Sequence, residues 1–186
     1  LANDWSRIAR RIRVPMGFVV AALFLWLARP TWLSLEWSLC VVVPGVWLRG
    51  YASGYVKKNA ELAVTGPYAH TRNPLYLGSM LIAFGFAGAS RSVWIFLALA
   101  ILFAAIYAPT IRSEEEFLRG HFSNFNDYAR RVPRLLPRLI PADLGNDEGA
   151  GFSRALYLQH REYNALLGAA AIYAVLALRV YFSRQG

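Results

Sequence analysis

Charge and thiols are what this chain has least of. Only 17% of its 186 residues are charged, against 56% hydrophobic ones. Soluble domains carry about a quarter charged residues. Disorder needs low hydrophobicity and high charge, so it is excluded. Cys40 is the only cysteine, which rules out an internal disulfide and a zinc cluster, and the reading holds no metal ligand set. Acidic residues are also scarce, 11 against 20 basic ones, for a net charge of +9. A basic, hydrophobic chain is either a membrane protein or a nucleic-acid binder. No RNP-like, helix-turn-helix or zinc signature is present, so nucleic acid is not an expected partner.

The hydrophobic residues are gathered into runs. Ser92–Ile111 has no charge and matches the roughly 20 residues that cross a hydrocarbon core. Arg72 and Arg91 bound a second uncharged stretch, and Val14–Ala28 is a shorter one. Leu35–Val56 is apolar but carries Glu36, Arg49 and a helix-perturbing Pro44. The Ala- and Leu-rich Tyr163–Leu178 continues through residue 182. The expectation is an all-α polytopic bundle of about five spans, over 14–32, 35–55, 74–89, 92–111 and 162–182. With the N-terminus inside, sixteen Lys and Arg fall on the inner side and four on the outer. That bias orients the bundle with its N-terminus in the cytoplasm, facing an anionic leaflet. Residues 1–141 read as the core, and 142–186 as an acidic linker and an additional C-terminal transmembrane helix.

Two polar segments on the inner side carry more information than loops do. In Ala60–Met80, Gly66-Pro67 is a turn signal and Asn73-Pro74 reads as a helix start. Such a helix end, at the inner membrane face, suits an anionic group. Gly78, Gly85 and Gly88 follow on that helix, leaving room for a lipid tail or for close helix packing. In Ile111–Pro141 no break signal follows the fourth span, so its helix should run on into the cytoplasm. Glu114, Glu115 and Glu116 then lie just past the membrane boundary, about 100° apart around the axis. They serve either a pocket or a solvated acidic turn. Val132-Pro133 and Leu136-Pro137 should end the helix.

GPYxxxRNPxYxGS (Gly66 to Ser79), one span, then EExxLxxxF (Glu114 to Phe122) and YxxRVPxxxP (Tyr128 to Pro137) form an ordered series. It resembles the isoprenylcysteine carboxyl methyltransferase and phospholipid methyltransferase superfamily over about residues 45–141. The resemblance implies S-adenosylmethionine as donor, S-adenosylhomocysteine as product, a cofactor pocket at the cytoplasmic face and a lipid-like acceptor from the bilayer. By the same resemblance Ala60, Glu61, Leu62 and Ala63 supply backbone contacts, and Tyr68 lines the pocket. Asn73, Pro74, Leu75 and Tyr76 form the recognition turn, and Glu114, with Glu115 as its alternative, binds the cofactor. Asn73 departs from the His of the carboxyl methyltransferase branch and resembles the phospholipid branch, whereas YxxRVPxxxP resembles the former. The acceptor is therefore a prenylcysteine-type carboxylate or a phospholipid-type head group. Arg112, two positions before Glu114, is a candidate for orienting it, and His70 and His121 are the nearby bases. The rival enzyme class is an NADPH-dependent membrane sterol or steroid reductase, whose C-terminal motif is similar. It typically has an acidic residue where Ser79 stands, and it lacks the double glutamate.

Overall fold

A computed structural model describes residues 19, 21–57, 60–144 and 151–183. Residues 14–18 and 20 of the first expected span lie outside the described residues; the rest is helical over 21–27 (α1). All regular structure among the described residues is helical, with no strand.

Pro30 ends α1 and Thr31 begins the next helix. The Thr31 hydroxyl accepts from the Ser34 N–H while the Ser34 hydroxyl accepts from the Thr31 N–H, a reciprocal capping box. Helix α2 then runs Trp32–Ser53, passing through Pro44 without ending. A turn and a short 3₁₀ helix, Gly66–Ala69, lead to α3, Pro74–Ser90. Gly66 supplies the left-handed φ of +57° that the turn needs.

Helices α2 and α3 form the closest pair in the molecule, and glycine explains it. A Cβ on Gly45 would sit 2.9 Å from the Gly78 carbonyl oxygen, and one on Gly78 would sit 2.6 Å from Arg49 Cγ. Gly85 lies as tightly against Val42, at 2.5 Å. Gly78 and Gly85 therefore serve backbone contact, not a lipid groove. Only Gly88 of the three faces open space.

Arg91 turns the chain in a left-handed conformation, and the Ser92 hydroxyl caps α4, Val93–Leu102. A π-helical turn, Phe103–Tyr107, joins α4 to α5, Ala108–His121, without interruption. The run-on helix expected past Ile111 is therefore present, but it stops well before Val132. Phe122 is extended, and a separate α6 occupies Phe125–Arg131. Gly120 stands in the last turn before this break. The break lets Phe125 and Tyr128 fold back into a small core with Val64 and Val132.

The C-terminal part comprises α7, Arg154–Gln159, and α8, Tyr163–Ser183. Helix α8 packs on α2 and places Ala169, Leu176 and Val180 in the main apolar core with Phe24, Val42 and Phe86. Tyr173 Oη meets Ser38 Oγ at 2.6 Å inside this interface.

Of the five expected spans, the helix over Val93–His121 and α8 are long and apolar enough to cross a membrane, by length and composition. Helix α3 is apolar but has 17 residues. The outward faces of α2, α4 and α8 carry large apolar side chains, among them Trp37, Trp47, Trp94, Ile101 and Leu167, each more than 60% exposed.

Candidate functional site

A cleft of about 690 Å³ opens between the start of α3 and helix α5. That is within the roughly 300–1,000 Å³ common for small-molecule sites. One wall is the loop through Glu61, Leu62 and Ala63, followed by Tyr68 and the turn Arg72–Tyr76. The opposite wall is Tyr107, Glu114, Glu115, Phe117 and Leu118, extended by Phe122, Phe125 and Tyr128. Arg49 and Ser79 line it from α2 and α3.

The walls are joined by two carboxylates used in different ways. Glu114 is exposed to the cleft and accepts a 2.8 Å hydrogen bond from the Tyr76 hydroxyl. The Tyr76 ring stands edge-on to Tyr107, which in turn stacks on Phe103 one helical turn earlier. The π turn thus carries the aromatic pair beneath the Glu114 bond.

Glu115, only 3% exposed, is held from every side. Arg134 donates to Oε2 through Nε at 3.0 Å and Nη2 at 2.8 Å. Asn73 Nδ2 donates to Oε1 at 3.3 Å, and Arg72 Nε lies 3.3 Å from the same oxygen. A buried carboxylate persists only with such compensation. The same Asn73 amide also donates to the Arg134 carbonyl at 2.9 Å, tying the RNP turn to the chain after α6. Glu115 therefore builds the wall, while Glu114 is presented to whatever occupies the cleft.

Tyr68 is fixed from behind. Its carbonyl accepts from the Tyr128 hydroxyl at 2.9 Å, and both side chains are buried. Burial pushes both phenols well above their ordinary range, so both are neutral at physiological pH. The Tyr55 hydroxyl, just after α2, lies 2.8 Å from the Tyr51 hydroxyl.

Arg49 lines the cleft from α2. Its Nε and Nη2 donate to the two oxygens of Glu162 at 3.0 and 2.9 Å, a fork-on-fork pair. Its Nη1 donates to the Leu75 carbonyl at 3.4 Å and to the Ser79 hydroxyl. Glu162 lies at the entry to α8, so the C-terminal helix is fastened to the cleft wall. His160 reinforces the seam, with Nδ1 3.1 Å from the Ser53 carbonyl. Phe152 stacks on Tyr51 over Gly54.

Glu61, Leu62, Ala63, Tyr68, Asn73, Pro74, Leu75, Tyr76, Glu114 and Glu115 all line this one cleft. Ala60 sits just beyond it, exposed, and Arg112 is exposed on α5 away from the lining. Neither histidine lines it. His70 Nδ1 meets the Arg138 carbonyl at 2.8 Å, and His121 stacks on Phe117 at the end of α5. Arg49, Ser79 and Tyr107 escaped the sequence reading as cleft residues. The signal for Arg49 was present, since an ionisable residue inside an apolar helix is a functional candidate by default. Among the described residues no group of three or more His, Cys, Asp or Glu could hold a metal ion.

The donor set fits S-adenosylmethionine. Helix α3 begins without a side-chain cap, and its first turn lines the cleft beside Arg72, a setting for a carboxylate. Glu114 offers acceptors for an ammonium or ribose hydroxyls, and Tyr76 and Tyr107 offer aromatic surface to a cation.

Comparison with known proteins agrees with this geometry. Residues 43–124 match the phospholipid methyltransferase family, part of the isoprenylcysteine and phospholipid methyltransferase superfamily. The chain is 37% identical over 137 residues to the cobalt-zinc-cadmium resistance protein CzcN of Cupriavidus metallidurans, covering 68% of this chain and 62% of that protein. It is 40% identical over 94 residues to the nickel-cobalt-cadmium resistance protein NccN of Alcaligenes xylosoxydans xylosoxydans, covering 50% of this chain and 43% of that protein. The chain thus spans less than two thirds of the length of either relative. No solved structure matches it.

Proposed function

We propose that the protein is a multi-pass membrane methyltransferase that uses S-adenosylmethionine to methylate a lipid-like acceptor at the cytoplasmic face. The observation that carries this reading is the Tyr76–Glu114 hydrogen bond. It joins the recognition turn of α3 to the acidic turn of α5 across a cleft of cofactor size. When bound, S-adenosylmethionine supplies a methyl group activated on a sulfonium.

The chain's own residues have three tasks. Glu114 accepts hydrogen bonds from the cofactor's hydroxyls or ammonium, and the start of α3, at Leu75 and Tyr76, receives its carboxylate. The loop Glu61–Ala63 and Tyr68 shape the pocket for the remainder. Tyr107, Phe117, Leu118 and Phe122 present an apolar wall that keeps water from the reacting groups. Methyl transfer needs alignment more than proton movement, so a rigid wall is the protein's main contribution. The Glu115 network supplies that rigidity.

The acceptor carries a prenylcysteine-type carboxylate or a phospholipid-type head group. Its tail stays in the bilayer, because exposing each methylene to water costs about 0.8 kcal/mol. Membrane lipids are thus both solvent and substrate source, and the motif-bearing face and the N-terminus are cytoplasmic.

Calorimetric titration in detergent tests the cofactor. Adenosylhomocysteine should bind saturably and NADPH should not. Glu114→Gln and Tyr76→Phe should each weaken adenosylhomocysteine by about tenfold to a hundredfold, the value of a hydrogen bond to a charged group. Saturable NADPH binding, or wild-type affinity in both variants, would remove the reading.

A further inference from the structure

The chain between α6 and residue 144 is irregular, yet it is stapled along its length. The Arg72 N–H donates to the Pro133 carbonyl at 2.9 Å, Arg138 N–H to the His70 carbonyl at 2.9 Å, and Ala142 N–H to the Ala69 carbonyl at 3.0 Å. The Thr71 hydroxyl adds bonds to the Arg134 and Leu135 carbonyls. The Glu115 ion pair holds Arg134 itself. A segment fixed this firmly should bury its apolar side chains. Instead Leu136 is 79% exposed, Leu139 98% and Ile140 74%.

Charge surrounds those side chains, and it is of one sign. Arg130, Arg131, Arg134 and Arg138 fall between Tyr128 and Ala142, with no acidic residue among them. Arg130 and Arg138 are exposed; Arg130 pairs with Asp127 at 3.8 Å, and Arg138 Nη1 donates to the Arg131 carbonyl. The depth of the strap is set by its staples, which tie it to the turn immediately before apolar α3. Beside it lies a hollow lined by Trp47, Tyr51, His70, Pro137 and Pro141. Trp47 and Tyr51 stack at 5.1 Å near the end of α2, the kind of aromatic pair that marks a headgroup layer.

We propose that the strap 132–142 docks on an anionic lipid surface, with Leu136, Leu139 and Ile140 inserted among the acyl chains and Arg130 and Arg138 on lipid phosphates. Exposed apolar side chains ringed by arginine suit such a surface, because one set gains from leaving water and the other from the leaflet's negative potential. The docking holds the far end of the Glu115 network at a fixed depth, so the cleft and the lipid acceptor share one reference plane. The inference rests on the membrane reading of α4–α5 and α8, not on methyl transfer.

The test places an environment-sensitive NBD probe at Leu139→Cys in a Cys40→Ser background, since Cys40 is exposed. Ser123→Cys, in the exposed turn before α6, gives the aqueous reference, and Leu167→Cys, on the outer face of α8, gives the lipid reference. Each full-length protein is placed in nanodiscs of phosphatidylcholine, with or without a third of phosphatidylglycerol. The probe at 139 should emit to the blue of the one at 123. Spin-labelled lipid should quench it more strongly from headgroup depth than from the chain end, and phosphatidylglycerol should strengthen the effect. Arg130→Gln should weaken the lipid-bound state about fivefold in the anionic discs, the value of one cation near such a surface. Aqueous emission at 139 with lipid emission at 167 would overturn the strap alone, and aqueous emission at both would overturn the membrane reading beneath it. Blue emission at 139 without quenching by lipid would also overturn the proposal, because protein would then cover the strap.

Discussion

Replacing Glu115 by glutamine keeps the shape of the side chain but removes the charge around which Arg72, Arg134 and Asn73 are arranged. Breaking a buried ion pair from one side costs about 3–5 kcal/mol when the remaining charge stays buried. Here the two arginines differ. The Arg134 side chain is 48% exposed and can rehydrate, so its share is small. The Arg72 side chain is 12% exposed, and its Nε has no hydrogen-bond partner, so it keeps most of the penalty. The expected loss is therefore about 2–3 kcal/mol, below the full range. For a chain of this length that lowers the melting temperature by about 4–12 °C. Glu114→Gln, at an exposed position with one hydrogen bond, should stay within about 0.5 kcal/mol of wild type. Tryptophan fluorescence during heating in detergent measures both. Wild-type melting of Glu115→Gln, or a lower melting temperature for Glu114→Gln than for Glu115→Gln, would refute the division of labour between the two carboxylates.

Other expectations follow from the same packing. Gly78→Ala forces a methyl against Arg49 Cγ at 2.6 Å and should destabilise by about 1–3 kcal/mol, whereas Gly88→Ala has open space and should stabilise by about 0.5–1 kcal/mol. Equal melting temperatures for the two would argue against the tight α2–α3 contact. Glu162→Ala leaves Arg49, a 25% exposed side chain, without its partner and should lower stability by about 1–3 kcal/mol; no change in melting would mean that the ion pair does not fasten α8. Tyr68 and Tyr128 are raised by burial, so the fold prefers their neutral forms; the stability this confers is present below about pH 10 and lost as pH rises beyond it. Phenolate absorbance should show these two titrating together with alkaline unfolding, and ordinary titration in an intact fold would contradict their burial.

Much of the site could be read before the fold because its residues sit where local rules are strong. Asn73-Pro74 starts α3, Gly66-Pro67 makes the turn before it, and the lack of a breaker after Ile111 carries the helix to the glutamates. Local rules were silent on three points. Helical spacing separates Glu114 from Glu115 by about 100°. Which of them faces the cleft depends on Arg134, 19 residues away. Gly120, in the last turn of α5, does not by itself fix the break at Phe122, which comes from the tertiary burial of Phe125 and Tyr128. Glycines spaced along α3 read equally well as a groove or a contact, and only the partner helix, through Val42 and Gly45, decides.

The Arg49–Glu162 pair also sets a timetable for biosynthesis. Its partners are 113 residues apart, and ribosomes add about 5–20 residues per second, so Arg49 waits about 6–23 s for its carboxylate. During that interval α2 and α3 exist with a guanidinium facing the future cleft and no counter-ion beside it. Water or lipid phosphate must shelter it, and Glu162 displaces that shelter when the last helix arrives. The cleft wall is therefore complete only once residue 162 has been made. A chain stopped before residue 162 would leave the Arg49 guanidinium without this carboxylate.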